Sequence, residues 1–216
     1  IENGRIADRP GVQLKTALRT LANEGENDFV LTSNQNLVIA NVSANKKAHI
    51  EEVLKKCGIS LEGSSGLKRN AMACVALPTC GLALAESERY LPHLVVDLEK
   101  VLKEVGLTNE EIVIRMTGCP NGCARPYLAE IGLVGRSPGL YNLYLGAAFD
   151  GTRLSKLYAL DVRHEQIVKL LTPLLQRYAK ERKTSEHFGD FVVRSGVVKP
   201  TFEGRNFHKD VQLSSL

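Results

Sequence analysis

Four cysteines provide the chemistry that this sequence most clearly offers. The first pair lies in Cys74-Val75-Ala76-Leu77-Pro78-Thr79-Cys80, and the second pair lies in Cys119-Pro120-Asn121-Gly122-Cys123. Five residues separate the first two thiols, three separate the second two, and thirty-eight residues lie between the pairs. Paired thiols that are far apart along a chain typically converge on a metal centre. The spacing therefore predicts that two distant loops close around a metal.

The residues alone leave the identity of the metal open. Zinc sites usually use cysteine pairs about two to four residues apart, often with histidine, whereas the first pair here is wider and the nearest histidine, His93, follows Cys80 by thirteen residues. An iron–sulfur cluster is larger and takes four thiolates. Gly118 and Gly122 would let backbone N–H groups turn toward the sulfur atoms. The spacing favours a [4Fe–4S] cluster, with a zinc site and unconnected structural or redox thiols as alternatives.

The overall composition excludes several classes of partner. Hydrophobic residues make up 44% of the 216 residues and charged residues 24%, which is ordinary for a soluble chain of one or two domains. The apolar runs are shorter than the roughly 18 residues that span a bilayer, so no membrane partner is expected. The net charge is only +4, and lysine and arginine form no run interleaved with aromatic residues. Nucleic-acid binding is therefore disfavoured.

The start of the chain and its cysteine count bear on its cellular compartment. The sequence begins at Ile1 without a methionine, and we interpret it as a piece of a longer protein. No secretory signal is visible, which predicts a cytoplasmic location without structural disulfides. The fifth cysteine, Cys57, stands alone at the end of a helical pattern and is predicted to be a structural thiol.

Two segments must position the cysteines. Residues 1–60 predict helix, two antiparallel strands and helix, and a further strand before Ile1 would help to complete this small sandwich. A linker is predicted at 60–70, because the segment is rich in Gly and Ser. The remaining chain predicts helices at 82–90, 93–105 and 164–182, the last interrupted by Pro173. Strands are predicted at 112–114, 129–135, 141–146 and 191–194.

The two cysteine motifs, taken as 73–80 and 117–123, resemble the signature of the sirohaem-dependent sulfite and nitrite reductases. Within that family the chain is most similar to the C-terminal half of the assimilatory sulfite reductase haemoproteins (β subunit). The likeness covers nearly the whole chain. Four further segments carry it: Gly4-Arg5-Ile6, Ser33-Asn34-Gln35-Asn36-Leu37, Ala129-Glu130-Ile131-Gly132-Leu133-Val134-Gly135 and Phe188-Gly189-Asp190-Phe191.

The resemblance implies two cofactors, a [4Fe–4S] cluster and a sirohaem. The thiolate at Cys123 would also bridge to the sirohaem iron, coupling the two groups. The cluster ligands would be Cys74, Cys80, Cys119 and Cys123.

The resemblance also implies that Asn121 and Gln35 lie against the macrocycle. From the residues alone, Asn121 is equally well explained as a turn residue and Gln35 as part of a solvated hairpin tip. Arg5 and Arg125 would be able to pair with the carboxylates that rim the sirohaem, although exposed surface arginines are the simpler interpretation of each.

The fold class implied is α+β, with a partial ferredoxin-like split α/β sandwich at 1–60 followed by an α/β cluster-and-sirohaem domain at 61–216.

The implied enzyme is an oxidoreductase that reduces sulfite to sulfide with six electrons. Its electron donor would be a flavoprotein reductase subunit or a ferredoxin. The basic residues that bind sulfite would lie before Ile1, in the N-terminal half of the protein, so no catalytic residue is assigned and the isolated fragment would be incomplete.

Two other functions remain compatible with the sequence. An assimilatory nitrite reductase would use the same cofactors to reduce nitrite to ammonia. A non-catalytic module, either an iron–sulfur electron carrier or a zinc-stabilised binding domain, would use the cysteines without a sirohaem.

Overall fold

The computed structural model describes residues 1–60 and 63–204. The chain divides into two compact units, Ile1–Ser64 and Ser65–Leu216. No helix in the described part is both long and apolar enough to cross a membrane.

The first unit combines two helices with two short hairpins. Its elements are β1 (Asp8–Arg9), β2 (Val12–Gln13), α1 (Leu14–Glu24), β3 (Asp28–Leu31), β4 (Leu37–Ala40) and α2 (Lys47–Lys56). β1 pairs with β2 and β3 pairs with β4, both antiparallel. Helix α1 ends at Gly25, which adopts a left-handed conformation with φ +68°. Its core is formed by Ala17 and Leu21 of α1 against Ile50 and Leu54 of α2.

The predicted order of helix, two strands and helix is confirmed in this unit. The apolar pattern predicts the first helix over 11–23, whereas α1 begins at Leu14, because Val12 and Gln13 pair with β1 instead. Cys57 lies at the end of α2 and packs against the core of the unit. This position agrees with a structural thiol.

The second unit is built on a mixed five-stranded sheet. Its elements are α3 (Gly66–Arg69), β5 (Ala71–Ala73), α4 (Leu91–Glu104), β6 (Ile114–Thr117), β7 (Ile131–Ser137), β8 (Leu140–Leu145), β9 (Lys156–Arg163), α5 (His164–Glu181) and α6 (Phe188–Arg194). The strands lie in the order β5-β6-β7-β8-β9. The pairs β5–β6 and β6–β7 are parallel, and the pairs β7–β8 and β8–β9 are antiparallel. This combination of helices with mixed sheets agrees with the predicted α+β class.

One face of the sheet packs on the helices and forms the main core. Alternation along β6 places Ile114 and Met116 in that core, which leaves Arg115 on the opposite face. The helices contribute apolar residues at helical spacing, including Leu94 and Leu98 of α4. The opposite face carries a smaller cluster, Val134, Tyr144 and Leu157.

The predicted helix at 82–90 is wrong, and the segment forms turns. The amides of Leu84 and Ala85 donate to the carbonyl of Gly118, and the amide of Glu88 donates to the carbonyl of Cys74. These groups therefore bind the neighbouring strand ends, and they are not available for a helical ladder.

The predicted strand at 191–194 is also wrong, because Phe188–Arg194 forms helix α6. Phe188, Phe191 and Val192 are all buried, at a spacing of three and four residues that suits one helical face. The amide of Gly189, in the first turn, donates to the buried carboxylate of Glu130. Burial and this long-range bond outweigh the β propensity of the two valines.

Three strands and one helix depart from the sequence pattern in other ways. β5 follows the predicted linker, and β9 was not predicted at all. The predicted strand at 112–114 lies later, as β6. Helix α5 continues through Pro173 as one element, where the sequence suggested a kink or two pieces.

Candidate functional site

The two cysteine loops leave the same edge of the sheet. β5 ends at Ala73 and β6 at Thr117, and the two strands run parallel with Ala73 opposite Met116. The amide of Cys74 donates to the carbonyl of Met116 at 3.2 Å. The amide of Gly118 in turn points at the Cys74 Sγ, with 3.3 Å between nitrogen and sulfur. The thirty-eight residues between the two motifs thus separate loops that are neighbours in space.

Gly118 is the point where the loops interlock. Its carbonyl accepts hydrogen bonds from the amides of Leu84, at 2.8 Å, and Ala85, at 3.0 Å. A Cβ added at Gly118 would lie 2.6 Å from the Ala76 Cβ and 2.6 Å from the Ala85 carbonyl oxygen. Only glycine fits this crossing.

The first loop turns tightly around its second cysteine. Ala76 has a positive φ of +48°, and the Leu77–Pro78 peptide bond is cis. The amide of Cys80 donates to the Ala76 carbonyl at 2.8 Å, and the Cys80 carbonyl accepts from the amide of Ala83 at 3.1 Å. Cys80 is therefore held in a compact turn, half-buried.

The second loop presents its tip to solvent. Gly122 has φ +69°, its amide donates to the Cys119 carbonyl at 3.4 Å, and its carbonyl accepts from the Arg125 amide at 2.7 Å. Asn121 and Cys123 are exposed, whereas Cys119 is buried. The loop thus offers one thiol and one amide side chain outward while it keeps the other thiol inside.

The thiols interact electrostatically across the two loops. All of the cysteines in the described chain are free. Burial raises the pKa of Cys74, and negative charge at Cys123 raises it further. Hydrogen bonds from the Gly118 and Ala76 amides favour the thiolate and lower the pKa of the same group. The Cys123 thiol of the second loop is therefore close enough to the Cys74 thiol of the first loop to influence its charge.

The donors at this site are sulfur atoms from two neighbouring loops. No group of three or more His, Cys, Asp or Glu side chains in residues 1–60 and 63–204 converges on a single metal position. Free thiols on two interlocked loops, with a backbone N–H already aimed at one sulfur, fit a larger group of iron and sulfide.

Gln35 belongs to the first unit and the four cysteines to the second. It lies in the turn between β3 and β4, half-buried, with φ +60°. A Cβ at Gly4 would lie 3.2 Å from the Gln35 Cβ, so this backbone packs on the glutamine side chain. Arg5, in the same unit, is exposed.

A pair of arginines, Arg115 and Arg125, lies beside the cysteine loops. The sequence pattern did not predict that these two residues would be neighbours. The Arg115 Nη1 lies 3.4 Å from the carbonyl oxygen of Arg125, and the Arg125 Nη2 lies 3.8 Å from the Met72 Sδ. Burial, and then the charge of Arg125, lower the pKa of Arg115 to about 10. Arg115 forms no ion pair with any described residue. Alternation along β6 was the available signal, because Ile114 and Met116 must point into the core.

Glu130 is a second residue whose buried position was not predicted from the sequence. It is fully buried, with Oε1 accepting from the Gly189 amide at 2.7 Å and Oε2 from the Val113 amide at 2.8 Å. Burial raises the pKa of Glu130 to about 7 against the opposing effect of these two bonds. The side chain ties α6 to the segment that enters β6. A lone acid inside the apolar run at 129–134 was the signal in the sequence.

The chain is similar in sequence to curated sulfite reductases. It is 58% identical over 210 residues to the sulfite reductase (NADPH) hemoprotein beta-component of Bacillus pumilus, covering 96% of this chain and 36% of the relative. The proteins of the same name from Geobacillus thermodenitrificans and Staphylococcus saprophyticus are 57% and 56% identical, with 96% of this chain covered in each case. The chain spans about a third of the length of these relatives. No protein-family model matches it.

Solved structures share the fold. The Mycobacterium tuberculosis NirA protein superimposes with a TM-score of 0.68 and 26% identity, over 83% of this chain and 35% of that one. Dissimilatory sulfite reductase I (DsrI) gives a TM-score of 0.59 over 87% of this chain and 65% of that one, with 10% identity. The second likeness concerns the fold alone.

Proposed function

Because this chain belongs to the sulfite and nitrite reductase family, we propose that it is part of a sulfite reductase haemoprotein that reduces sulfite to sulfide with six electrons. The observation that carries the proposal is the meeting of the two cysteine loops, where the Gly118 amide lies 3.3 Å from the Cys74 sulfur. Identity of 54 to 58% to relatives that all bear this enzyme name supports it.

The four paired cysteines are proposed to hold a [4Fe–4S] cluster between the loops. Their free state and shared environment support this role. The ligands would be Cys74, Cys80, Cys119 and Cys123. Positive charge from Arg115 and Arg125 would offset the negative charge that four thiolates bring to this edge of the sheet.

The exposed tip of the second loop is proposed to meet the sirohaem. Cys123 would supply the bridging thiolate and Asn121 a polar contact to the macrocycle, and both side chains are exposed. Gln35, in the β3–β4 turn, keeps its proposed contact with the macrocycle on the family resemblance. When bound, the coupled cluster and sirohaem supply single-electron transfers and an iron site for the oxyanion.

The chain's own residues would prepare this site in defined ways. Gly118 allows the loops to cross, and its amide stabilises the Cys74 thiolate by hydrogen bonding. Buried Cys119 keeps one ligand away from water, while Cys123 remains accessible to the second cofactor. The basic residues that bind sulfite and deliver protons are proposed to lie in the remainder of the longer protein.

The same proposal assigns the two segments and the partners. Residues 1–60 would be a partial ferredoxin-like repeat, and residues 61–216 would bind the cluster and the sirohaem. The curated relatives are named as the hemoprotein beta-component of an NADPH enzyme. A flavoprotein reductase subunit is therefore the proposed electron donor, with a ferredoxin as the alternative, in the cytoplasm.

Substitution of each cysteine by serine tests the ligand set. In the full-length protein we expect Cys74→Ser, Cys80→Ser, Cys119→Ser and Cys123→Ser each to lose most of the iron, the acid-labile sulfide and the visible absorption of the coupled centre. Cys57→Ser is the matched control and should retain all three, since Cys57 packs in the core of the first unit. A Cys123→Ser protein with a normal spectrum and normal sulfite turnover would refute its role.

Spectrum and substrate choice separate the alternatives. Sirohaem gives strong visible bands, a cluster alone gives a broad brown shoulder and zinc gives no visible absorption. A protein without sirohaem bands would support an electron carrier or a zinc module. If kcat/KM for nitrite exceeds that for sulfite, the chain belongs to a nitrite reductase.

A further inference from the structure

A single 3₁₀ turn, Pro126–Leu128, follows the second cysteine loop and is fixed on the sheet. Gly132 of β7 lies against it, because a Cβ added there would lie 2.3 Å from the Pro126 carbonyl oxygen. The Tyr127 carbonyl accepts hydrogen bonds from the amide of Ser155, at 2.8 Å, and from its hydroxyl, at 3.2 Å. Ser155 is fully buried. The backbone of Tyr127 is therefore held by the sheet and by a buried partner.

The ring of Tyr127 connects this turn with the tip of the second cysteine loop. The ring is half-buried and meets Tyr144 of β8 edge to face, with ring centroids 5.2 Å apart and an interplanar angle of 86°. Tyr144 belongs to the small apolar cluster on the opposite face of the sheet. A Cβ added at Gly122 would meet the Tyr127 Cε2 first, at 3.3 Å. The ring thus occupies the space beside the Gly122 backbone, immediately before Cys123.

The loop closes on itself through backbone hydrogen bonds of unequal length. The Gly122 amide donates to the Cys119 carbonyl at 3.4 Å, longer than the roughly 2.7 to 3.2 Å of most N–H···O bonds. The Arg125 amide donates to the Gly122 carbonyl at 2.7 Å. The side chains of Asn121 and Cys123 are exposed. Contacts from outside the loop are therefore needed to hold its tip in one position.

We propose that Tyr127 is a positioning residue, whose ring holds the tip of the second cysteine loop so that Cys123 can bridge the cluster and the sirohaem. This inference rests on the proposed function and adds to it a residue that supplies no ligand atom. Metal–ligand distances tolerate changes of only about 0.2 Å, so a loose tip would seldom place the thiolate correctly. The role requires the rigid ring of Tyr127, which a phenylalanine would also supply, and it does not require the hydroxyl.

Hydrogen exchange in the iron-free, full-length protein tests this support without the cofactors. We expect Tyr127→Ala to speed exchange at the Gly122 and Arg125 amides at least about tenfold, because opening of the loop no longer breaks the ring contact. Tyr127→Phe keeps the ring and should exchange at the natural rates. Phe149→Ala is the matched control. It removes another half-buried ring, stacked on His187 with centroids 4.2 Å apart, and should leave both amides unchanged.

The visible and paramagnetic signature of the coupled centre is the second measurement, made on the iron-loaded protein. We expect Tyr127→Ala to reduce this signal at least about threefold at equal protein concentration, because the bridging thiolate is misplaced. Tyr127→Phe should retain the natural signal. Phe149→Ala should retain it as well, even where its thermal midpoint falls as far as that of Tyr127→Ala.

Natural exchange rates in Tyr127→Ala would overturn the proposal, and so would faster exchange accompanied by a natural coupled signal. Equal losses in Tyr127→Ala and Phe149→Ala would also overturn it, because they would reflect general destabilisation. If Tyr127→Ala does not fold, Tyr127→Leu keeps apolar volume against Tyr144 without the ring, and the same two measurements decide. Absence of a coupled signal from the natural protein would instead refute the proposed function, and this inference with it.

Discussion

Gly118 occupies the crossing of the two cysteine loops, and its missing side chain is a condition of the site. A Cβ there would lie 2.6 Å from both Ala76 and Ala85 atoms, closer than van der Waals contact permits. The backbone of one loop would have to move away from the other. The Gly118 amide would then no longer reach the Cys74 sulfur.

Replacement of Gly118 by alanine should therefore disrupt cluster binding. We expect Gly118→Ala, in the full-length protein, to retain less than about a tenth of the iron and sulfide, because a displaced loop misplaces Cys119. Gly81→Ala is the control: it lies beside Cys80, and a Cβ there meets nothing within 4 Å. Iron and sulfide analysis of both proteins is the measurement. Equal cluster content would contradict the crossing argument.

Glu130 makes stability depend on pH near neutrality. Burial raises its pKa from 4.5 to about 7, so between these values the folded chain holds a proton that the unfolded chain releases. Stability from this group is therefore fully present below pH 4.5 and falls as pH rises to about 7, by an amount on the order of 3 kcal/mol.

Glu130→Gln should abolish that fall. The amide side chain does not titrate, so the free energy of unfolding should vary less between pH 5 and 7, measured by denaturant titration of the full-length protein. At pH 7.5 the variant should also lack one of the two bonds to the Val113 and Gly189 amides. Glu104→Gln, exposed at the end of α4, should keep the natural slope. A natural slope in Glu130→Gln would refute the assignment.

At the scale of elements, the helices stabilise the strands that carry the cysteines. Leu171 of α5 is fully buried in the main core, on the helical face of the sheet. Leu171→Ala should lower the free energy of unfolding by about 2 to 5 kcal/mol, from lost burial and the cavity left behind. Val96→Ala, half exposed on α4, should cost no more than about 0.5 kcal/mol. Denaturant unfolding of both variants measures the difference.

Long periodic elements could be predicted from the sequence, and contact-dependent ones could not. α1, α2, α4 and α5 follow apolar stripes, and β7 and β8 follow β-rich runs bounded by a turn. Segment 82–90 failed because its amides bind carbonyls at the ends of β5 and β6. The predicted strand at 191–194 was wrong because the segment belongs to a helix, α6, whose first turn binds a distant buried acid, Glu130. Neither partner is visible in a local window of sequence.

The four cysteines of the site could be predicted from the sequence, whereas the residues that surround them could not. The four thiols stand out because their spacing is unusual, and parallel strands explain why the loops meet. Ser87 carried no motif, since its buried position depends on the Met116 carbonyl to which its hydroxyl donates. The position of Arg115 beside Arg125 could not be predicted for a similar reason. Its neighbour Arg125 is ten residues away in sequence and only the fold brings them together.

At the scale of the molecule, metal binding should stabilise the second unit selectively. A cluster held by both cysteine loops binds the folded state and so adds its binding free energy to folding. Removal of iron from the full-length protein by a chelator should speed hydrogen exchange at least tenfold in 74–88 and 118–125. Exchange in α1, in the other compact unit, serves as the internal reference and should change much less. Uniform acceleration, or none, would count against cluster binding by the loops.

The outward position of Cys123 has a consequence for the newly made chain. Before the cluster is assembled, three of the paired thiols are buried or half-buried and the fourth, Cys123, is exposed. We therefore expect peroxide and alkylating reagents to react with Cys123 before the other three. That same sulfur is the proposed bridge, so a single early oxidation event would spare the fold and yet block assembly of the coupled centre.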